Sequence, residues 1–222
     1  ITDIQYTYRI YEEVLINKLI IADSCCDLTD DMKANINVKL APLKITVPRD
    51  GGAFDAYVDD ESINIMSLLA SLKATKGVTS TACPSPEEYA TYMRSCDECY
   101  VVTLSSKLSG SNNAAEVAKA IVLDENPNAK IHVFDSLSAS VGETVIVLKI
   151  NEMLQAGAAF EDIVSEVNAF IKEKYTFFVL DNLGTLVKNG RMSKVTGLVA
   201  SMLSIKPVMR GDENGEIQLY EK

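Results

Sequence analysis

The alternation of short apolar runs with longer segments of helical period constrains this fold more than any other feature. The runs KLIIAD, LAPLKITV, CYVVTL and KIHVFD are rich in β-branched residues and nearly continuous, which is typical of strands buried on both faces. Between and after them lie segments whose apolar residues recur three and four positions apart. Strands that alternate with helices predict an α/β fold with a mainly parallel sheet and flanking helices.

Helix boundary signals support this pattern. Ser85 as N-cap, Pro86 at the first helical position and Glu88 three residues after Ser85 form a capping-box arrangement, and Gly157 is suited to end a helix. The predicted helices are residues 62–74, 85–95, 111–123, 139–157 and 160–174.

The pattern changes after Gly157, so we place a domain boundary near residue 158. Residues 1–158 are expected to form an N-terminal α/β lobe, and residues 159–222 a C-terminal α/β lobe. The second lobe contains YTFFVLD, another helix, and IKPVMRGDENGEIQLYEK, which predicts a hairpin around GDENG. These few elements can bury only a marginal core, so we expect this lobe to be incomplete at its C-terminal end.

Charge and composition disfavour several functional classes. Lys and Arg number 21 against 31 Asp and Glu, a net charge of −10, which repels nucleic-acid backbones. No apolar run is long enough to span a bilayer, and the N-terminus does not resemble a secretory signal. We therefore expect a cytoplasmic protein with no stable membrane insertion and at most transient membrane contact. The five cysteines are expected to be reduced thiols, including the CDEC pair.

Three predicted strands end in hydroxyl or carboxylate groups, and in a parallel sheet such ends share the edge where ligands bind. Asp and Ser at these positions could instead cap the helices that follow. The residues concerned are Asp23 and Ser24, Ser105 and Ser106, and Asp135 and Ser136.

The serine-rich turn SSKLSGS lacks the lysine pattern of a P-loop and the Gly-x-Ser-x-Gly pattern of a hydrolase. The only histidine, His132, lies inside a predicted strand, so these serines are interpreted as hydrogen-bond donors. Hydroxyls also precede the capped helix at residues 79–81, and Arg191 follows Gly190. Hydroxyls together with a guanidinium suit a carboxylate ligand.

Five motifs in this order resemble the DegV family of bacterial fatty-acid-binding proteins, which includes the binding subunit of fatty acid kinase. The resemblance runs from about residue 19 to the end of the sequence. Its motifs are Asp-Ser-x-x-Asp-Leu from Asp23, TACPSP from Thr81, SSKLSG from Ser105, Asp-Ser-x-Ser-Ala-Ser from Asp135, and the Arg segment from Asn189 to Ser193 followed by IKP.

The resemblance implies a long-chain fatty acid held between two lobes, with its acyl chain in an apolar tunnel. Its carboxylate would be held by Thr81, Ser109 and Arg191, with Ser109 preferred over Ser105 and Ser106 as the direct contact. Ala82 and Gly110 belong to the same binding segments. The protein would present the carboxylate to a separate kinase for acyl phosphate formation, without being an enzyme itself and without a cofactor.

The sequence departs from the family pattern at several positions. Ala82 stands in place of a serine, Cys83 in place of a glutamine, and Asn189 in place of a glycine, and nothing matches the family's C-terminal histidine. The alternative hypothesis is an enzyme acting on a small anionic substrate at the same edge, with Asp23 or Asp135 as general base. A structural or regulatory domain with an empty site is a third interpretation.

Overall fold

The computed structural model describes residues 17–181, 183–192 and 206–221. The strands are β1 Lys18–Asp23, β2 Val38–Ala41, β3 Lys44–Pro48, β4 Phe54–Val58, β5 Ser80–Ala82, β6 Glu98–Thr103, β7 Lys130–Asp135, β8 Phe177–Val179, β9 Val208–Gly211 and β10 Ile217–Glu221. The helices are α1 Asp30–Asn35, α2 Ile65–Ala74, α3 Pro86–Met93, α4 Ser111–Glu125, α5 Val141–Gln155, α6 Phe160–Glu173 and α7 Gly184–Lys188.

A four-stranded sheet in the order β2–β1–β6–β7 lies at the centre of the fold, and all of its strand pairs are parallel. Its side chains alternate between two cores, because successive residues of a strand point to opposite faces. Ile21 and Val101 pack with α3 and α4, whereas Ile20, Tyr100 and Phe134 pack with α5 and α6. The predicted α/β fold with a parallel sheet and flanking helices is confirmed.

The helices begin and end near their predicted boundaries. Ser85 and Glu88 form the predicted capping box of α3, and Gly157 takes a φ of +75° just after α5. The helix predicted from residue 62 begins at Ile65, because the side chain of Asn64 caps it by accepting from the Ser67 N–H at 2.9 Å. None of the helices in the described ranges is both long and apolar enough to cross a membrane.

The prediction of one strand for LAPLKITV was wrong. Pro42 lacks an N–H and ends β2 at Ala41, and the chain then leaves the parallel sheet. The remainder of the run forms β3, which lies at the centre of a separate antiparallel sheet in the order β4–β3–β5. Thr81 of β5 lies opposite Ile45 of β3, so this second sheet carries part of the predicted carboxylate site.

A third sheet, antiparallel and in the order β10–β9–β8, forms a small C-terminal unit with α7. Its hairpin turns around GDENG as predicted, with Ile217 opposite Gly211. Its core contains Leu183, Met192, Met209 and Ile217. A helix was predicted between YTFFVLD and IKP, and α7 lies in this interval. The rest of the interval after residue 192, with Ser193 of the Arg segment and the start of IKP, lies outside the described residues.

The domain boundary near residue 158 remains a prediction. Helix α6, which follows this boundary, buries Ile163, Val167 and Ile171 in the same core as Tyr100 and Phe134. We therefore propose that the N-terminal unit extends through α6 and that the C-terminal unit begins with the segment leading into β8.

Candidate functional site

The polar ends of β1, β6 and β7 lie side by side at one edge of the parallel sheet. Strand β6 is the neighbour of both other strands, and Thr103 at its end lies opposite Asp135 at the end of β7. Asp23 ends β1 beside them. The predicted shared edge is therefore present, and the loops that leave it determine the local geometry.

The two aspartates at this edge hold backbone segments in place. Asp23 is fully buried, and its carboxylate accepts from the N–H of Cys25 at 3.1 Å and of Leu104 at 2.8 Å. Asp135 Oδ1 accepts from the N–H groups of Ser106 and Leu137, both at 3.1 Å. Their oxygens thus stabilise the loops in the way that capping groups do. Because these oxygens already accept backbone hydrogen bonds, the geometry does not favour either residue as a general base.

A cavity of about 710 Å³ lies between this edge and the C-terminal unit. This volume falls within the range of about 300–1,000 Å³ that is typical of small-molecule sites. Both units contribute apolar side chains to its wall: Leu43, Leu104, Leu108, Phe178, Leu186 and Ile217. Thr81, Ser109 and Arg191 contribute polar groups to the same lining.

Three chain segments come together at the polar part of the cavity. Gly110 lies so close to the TACPSP segment that a Cβ there would be 3.1 Å from Cys83 Sγ. Arg191 Nε donates to the carbonyl of Leu108 at 3.1 Å, and its Nη1 donates to that of Asn189 at 3.0 Å. Among the described contacts, two of the five guanidinium N–H groups are used, so three remain for an anionic ligand.

The predicted site residues divide into two groups. Thr81, Ala82, Ser109, Gly110 and Arg191 all line the cavity. Two serines instead lie outside its described lining: Ser105 is fully buried and donates to the carbonyl of Gly215 at 2.8 Å, and Ser106 is exposed. The geometry therefore favours Ser109 as the serine available to a ligand, and the ligand-binding roles themselves remain predictions.

The turn after β7 contributes lining residues to which the sequence assigned no role. Ser138, Ser140 and Thr176 line the cavity, and Ser138 and Thr176 join the two units by a hydrogen bond of 2.7 Å. Ser140 has a φ of +59°, which costs a non-glycine residue about 1–3 kcal/mol. Its hydroxyl donates to Asp27. The Asp-Ser-x-Ser-Ala-Ser motif marks this turn in the sequence, but no ligand-binding role was predicted for its serines.

Asp23, Cys25 and Glu143 form a cluster of potential ligating atoms that all lie within 4.8 Å of one another. Asp23 and Glu143 are fully buried. Burial, followed by the charges of Glu143 and Asp23, raises the pKa of the Cys25 thiol to about 12. Because the Asp23 oxygens already accept backbone N–H groups, this cluster alone does not define a metal centre.

His132 has an environment typical of a packed residue. It lies half-buried in β7, its Nε2 is 3.3 Å from Asn168 Nδ2, and its ring packs edge-on against Phe134. Burial lowers its pKa, so the neutral ring is favoured. Its position in the strand, packed against Phe134 and Asn168, gives it no role at the cavity.

The fold and the cavity define an α/β protein with a largely apolar candidate ligand site at the carboxyl edge of a parallel sheet. A family model described as an uncharacterised protein of the DegV family matches residues 18–222. The chain therefore belongs to the DegV family.

Several relatives are similar in sequence and structure. A DegV domain-containing protein from Streptococcus pneumoniae is 36% identical over 203 residues, which are 91% of this chain and 71% of that protein. The crystal structure of a DegV family protein from Ruminococcus gnavus with vaccenic acid has a TM-score of 0.83 and 41% identity, over 92% of this chain and 71% of that one. The Streptococcus pneumoniae Fatty Acid Kinase (Fak) B3 protein loaded with linoleic acid gives a TM-score of 0.82 and 37% identity, over 93% and 73%.

Proposed function

We propose that the cavity binds a long-chain fatty acid, with the acyl chain against its apolar wall and the carboxylate at Thr81, Ser109 and Arg191. The observation that carries this proposal is the cavity itself, which is lined by leucine, isoleucine and phenylalanine side chains together with Thr81, Ser109 and Arg191. The relatives from Ruminococcus gnavus and Streptococcus pneumoniae hold vaccenic and linoleic acid. These two similarities support the same class of ligand here.

The expected binding energy comes mainly from the acyl chain. Each buried methylene contributes about 0.8 kcal/mol, so a long chain supplies most of the affinity. A carboxylate taken out of water must be compensated by hydrogen bonds and positive charge. The free N–H groups of Arg191 and the hydroxyls of Thr81 and Ser109 provide this compensation and fix which end of the ligand meets them.

We further propose that the protein presents the bound carboxylate to a separate kinase, which forms the acyl phosphate. The similarity to the Fak B3 protein supports this role. The DegV chain would then act as a binding subunit that holds the lipid, while the phosphoryl transfer machinery belongs to its partner.

Fatty-acid binding is tested by extracting the denatured, purified protein and identifying released lipids by mass spectrometry. Replacing Arg191 with Met removes a charged hydrogen-bond donor, so we expect fatty-acid affinity to fall by about 10- to 100-fold. The control is Arg94→Met, which removes an Arg whose side chain pairs with Glu87 and Glu125 far from the cavity. Absence of both co-purified lipid and binding of added fatty acid would contradict the proposed function.

Presentation to a kinase requires a separate experiment. The loaded protein is mixed with a purified fatty acid kinase and ATP, and acyl phosphate is measured as the hydroxamate. We expect product with the wild-type chain and with Arg94→Met, and much less with Arg191→Met. Binding of fatty acid with no acyl phosphate would leave the lipid-binding role standing and overturn the role as a kinase subunit.

A further inference from the structure

Two carboxyl groups lie buried together directly beneath the cavity wall. Asp23 ends β1 and Glu143 lies in the first turn of α5; both are fully buried, and their carboxylate oxygens approach within 4.8 Å. Among the described residues, neither oxygen of Glu143 has a hydrogen-bond partner. Two ionised carboxylates this close cannot both remain charged away from water.

The groups that face this pair supply little compensating charge. Among the described residues, the cation that interacts with Glu143 is Lys174, directly after α6, and its Nζ donates to the Ser136 carbonyl at 3.0 Å. The other titratable groups in the described part of the chain that interact with the pair are Asp27, Cys25, Cys26 and Tyr89, all of them acids. Burial raises the pKa of the Tyr89 hydroxyl, and burial raises those of both thiols to about 12, so these three groups stay neutral.

We propose that Asp23 and Glu143 share a single proton, with Glu143 donating to Asp23, and that Glu143 is thereby a positioning residue for the cavity wall. The assignment of donor and acceptor follows from the hydrogen bonds. Asp23 accepts from two backbone N–H groups, which stabilises its ionised form, whereas the Ser140 backbone, which also lowers the pKa of Glu143, forms no hydrogen bond with its oxygens at an ordinary distance. Burial and then the Asp23 charge raise the pKa of Glu143 well above its ordinary value.

The shared proton connects to the ligand site through Asp23. The two residues whose N–H groups it holds, Cys25 and Leu104, both line the cavity. Asp23 also interacts with the Ser111 hydroxyl, which lies 3.0 Å from the hydroxyl of Ser109. The proton sharing stands on this geometry alone, whereas its effect on fatty-acid affinity rests on the proposed function.

A shared proton makes stability depend on pH in a defined direction. Above the ordinary range of a glutamate pKa, the folded protein keeps a proton that the unfolded chain has released. The contribution is therefore fully present at low pH and is lost as pH rises through the raised pKa of Glu143. For one retained proton, the unfolding equilibrium constant rises by up to tenfold per pH unit.

The direct test uses carboxyl-carbon NMR of the whole chain with labelled glutamate. At neutral pH we expect one glutamate carboxyl resonance at the position of a protonated acid, and Glu143→Gln should remove it. A spectrum in which every glutamate is ionised at neutral pH would overturn the proposal without any variant being needed. So would a stoichiometric metal ion in the purified protein that Glu143→Gln abolishes, because a cation would then replace the proton.

The variant test separates positioning from simple packing. Glu143→Gln keeps the shape and can donate an N–H to Asp23 but has no carboxyl proton to release, so the fall in stability above the ordinary glutamate pKa should flatten. Glu152→Gln, on the exposed side of the same helix, should keep the wild-type slope. An unchanged slope in Glu143→Gln would overturn the proposal. A protonated glutamate in a chain that binds no fatty acid would sink the proposed function and leave the shared proton standing.

Discussion

The two walls of the cavity are built in different ways. The wall from the parallel sheet rests on strands whose central residues are fully buried, and its loops are held by the carboxylates of the buried Asp23 and the half-buried Asp135. The wall from the C-terminal unit rests on a described core of four buried side chains, and Phe177 and Val179 of β8 are about half exposed. The first wall is therefore expected to be the more rigid of the two, whereas the second is better suited to yield to an acyl chain.

Several polar contacts around the cavity join the C-terminal unit to the first wall, beside the packing of Leu108 against the core of that unit. Each of these polar contacts involves a backbone carbonyl or a hydroxyl at or next to a residue that lines the cavity. A change in how the two units dock is therefore expected to change the shape of the cavity. These contacts are Ser105 to Gly215, Ser138 with Thr176 and Arg191 to Leu108.

The largest effect is expected from truncating the deep core. Phe134→Ala removes a fully buried ring between β7 and α5, and should cost about 4 kcal/mol of unfolding free energy. Met209→Ala truncates an equally buried side chain in the thinner unit, where collapse around the gap is easier, and should cost about 2 kcal/mol. Urea unfolding measures both.

Hydrogen exchange then shows whether the two walls open separately. In Met209→Ala we expect the amides of β8, β9 and β10 to lose protection while those of β1, β6 and β7 keep it. Equal loss of protection in both sheets would show that the two units unfold together. The two walls of the cavity would then not differ in rigidity.

The next effect concerns the junction between the units at Gly215. This residue has a φ of +81°, and a Cβ there would overlap the Ser105 hydroxyl and lie 2.9 Å from Leu137 Cα. Gly215→Ala should therefore cost about 3 kcal/mol, combining backbone strain with the overlap. Gly157→Ala is the matched control, because φ is +75° and nothing lies within 4 Å of its Cβ.

For Gly157→Ala we expect only the conformational cost, about 1 kcal/mol, with fatty-acid affinity unchanged. Gly215→Ala should also weaken fatty-acid binding, because it pushes the hairpin away from the sheet edge. If the two substitutions have equal effects on stability and binding, the close approach of Gly215 to Ser105 does not matter for docking.

The parallel sheet was predictable from the sequence because its strands are continuous apolar runs, and α3 because Ser85, Pro86 and Glu88 give strong local signals. The antiparallel sheet around β3 was not, because its members are short and exposed and only Pro42 marked the break. Local pattern also could not show that α6 packs with Tyr100, since that contact depends on tertiary packing.

The site was predictable as a set of motifs but not as a set of contacts. Thr81, Ser109 and Arg191 were singled out and line one cavity, and Ser109 was preferred over Ser105. The sequence could not show that Ser105 is buried and donates to the distant Gly215. Glu143 was missed because a glutamate in the first turn of a helix is ordinarily a solvated, favourable residue there. Its burial follows from how α5 packs on the sheet.

The smallest effect is expected from one hydrogen bond between the walls. Ser138 and Thr176 lie 2.7 Å apart, and both line the cavity. Each of Ser138→Ala and Thr176→Val removes the bond, so the double variant should be less destabilised than the sum of the single ones. A double-mutant cycle in urea should give a coupling energy of about 1 kcal/mol, the usual net value of such a bond. Strict additivity would show that this contact does not join the units.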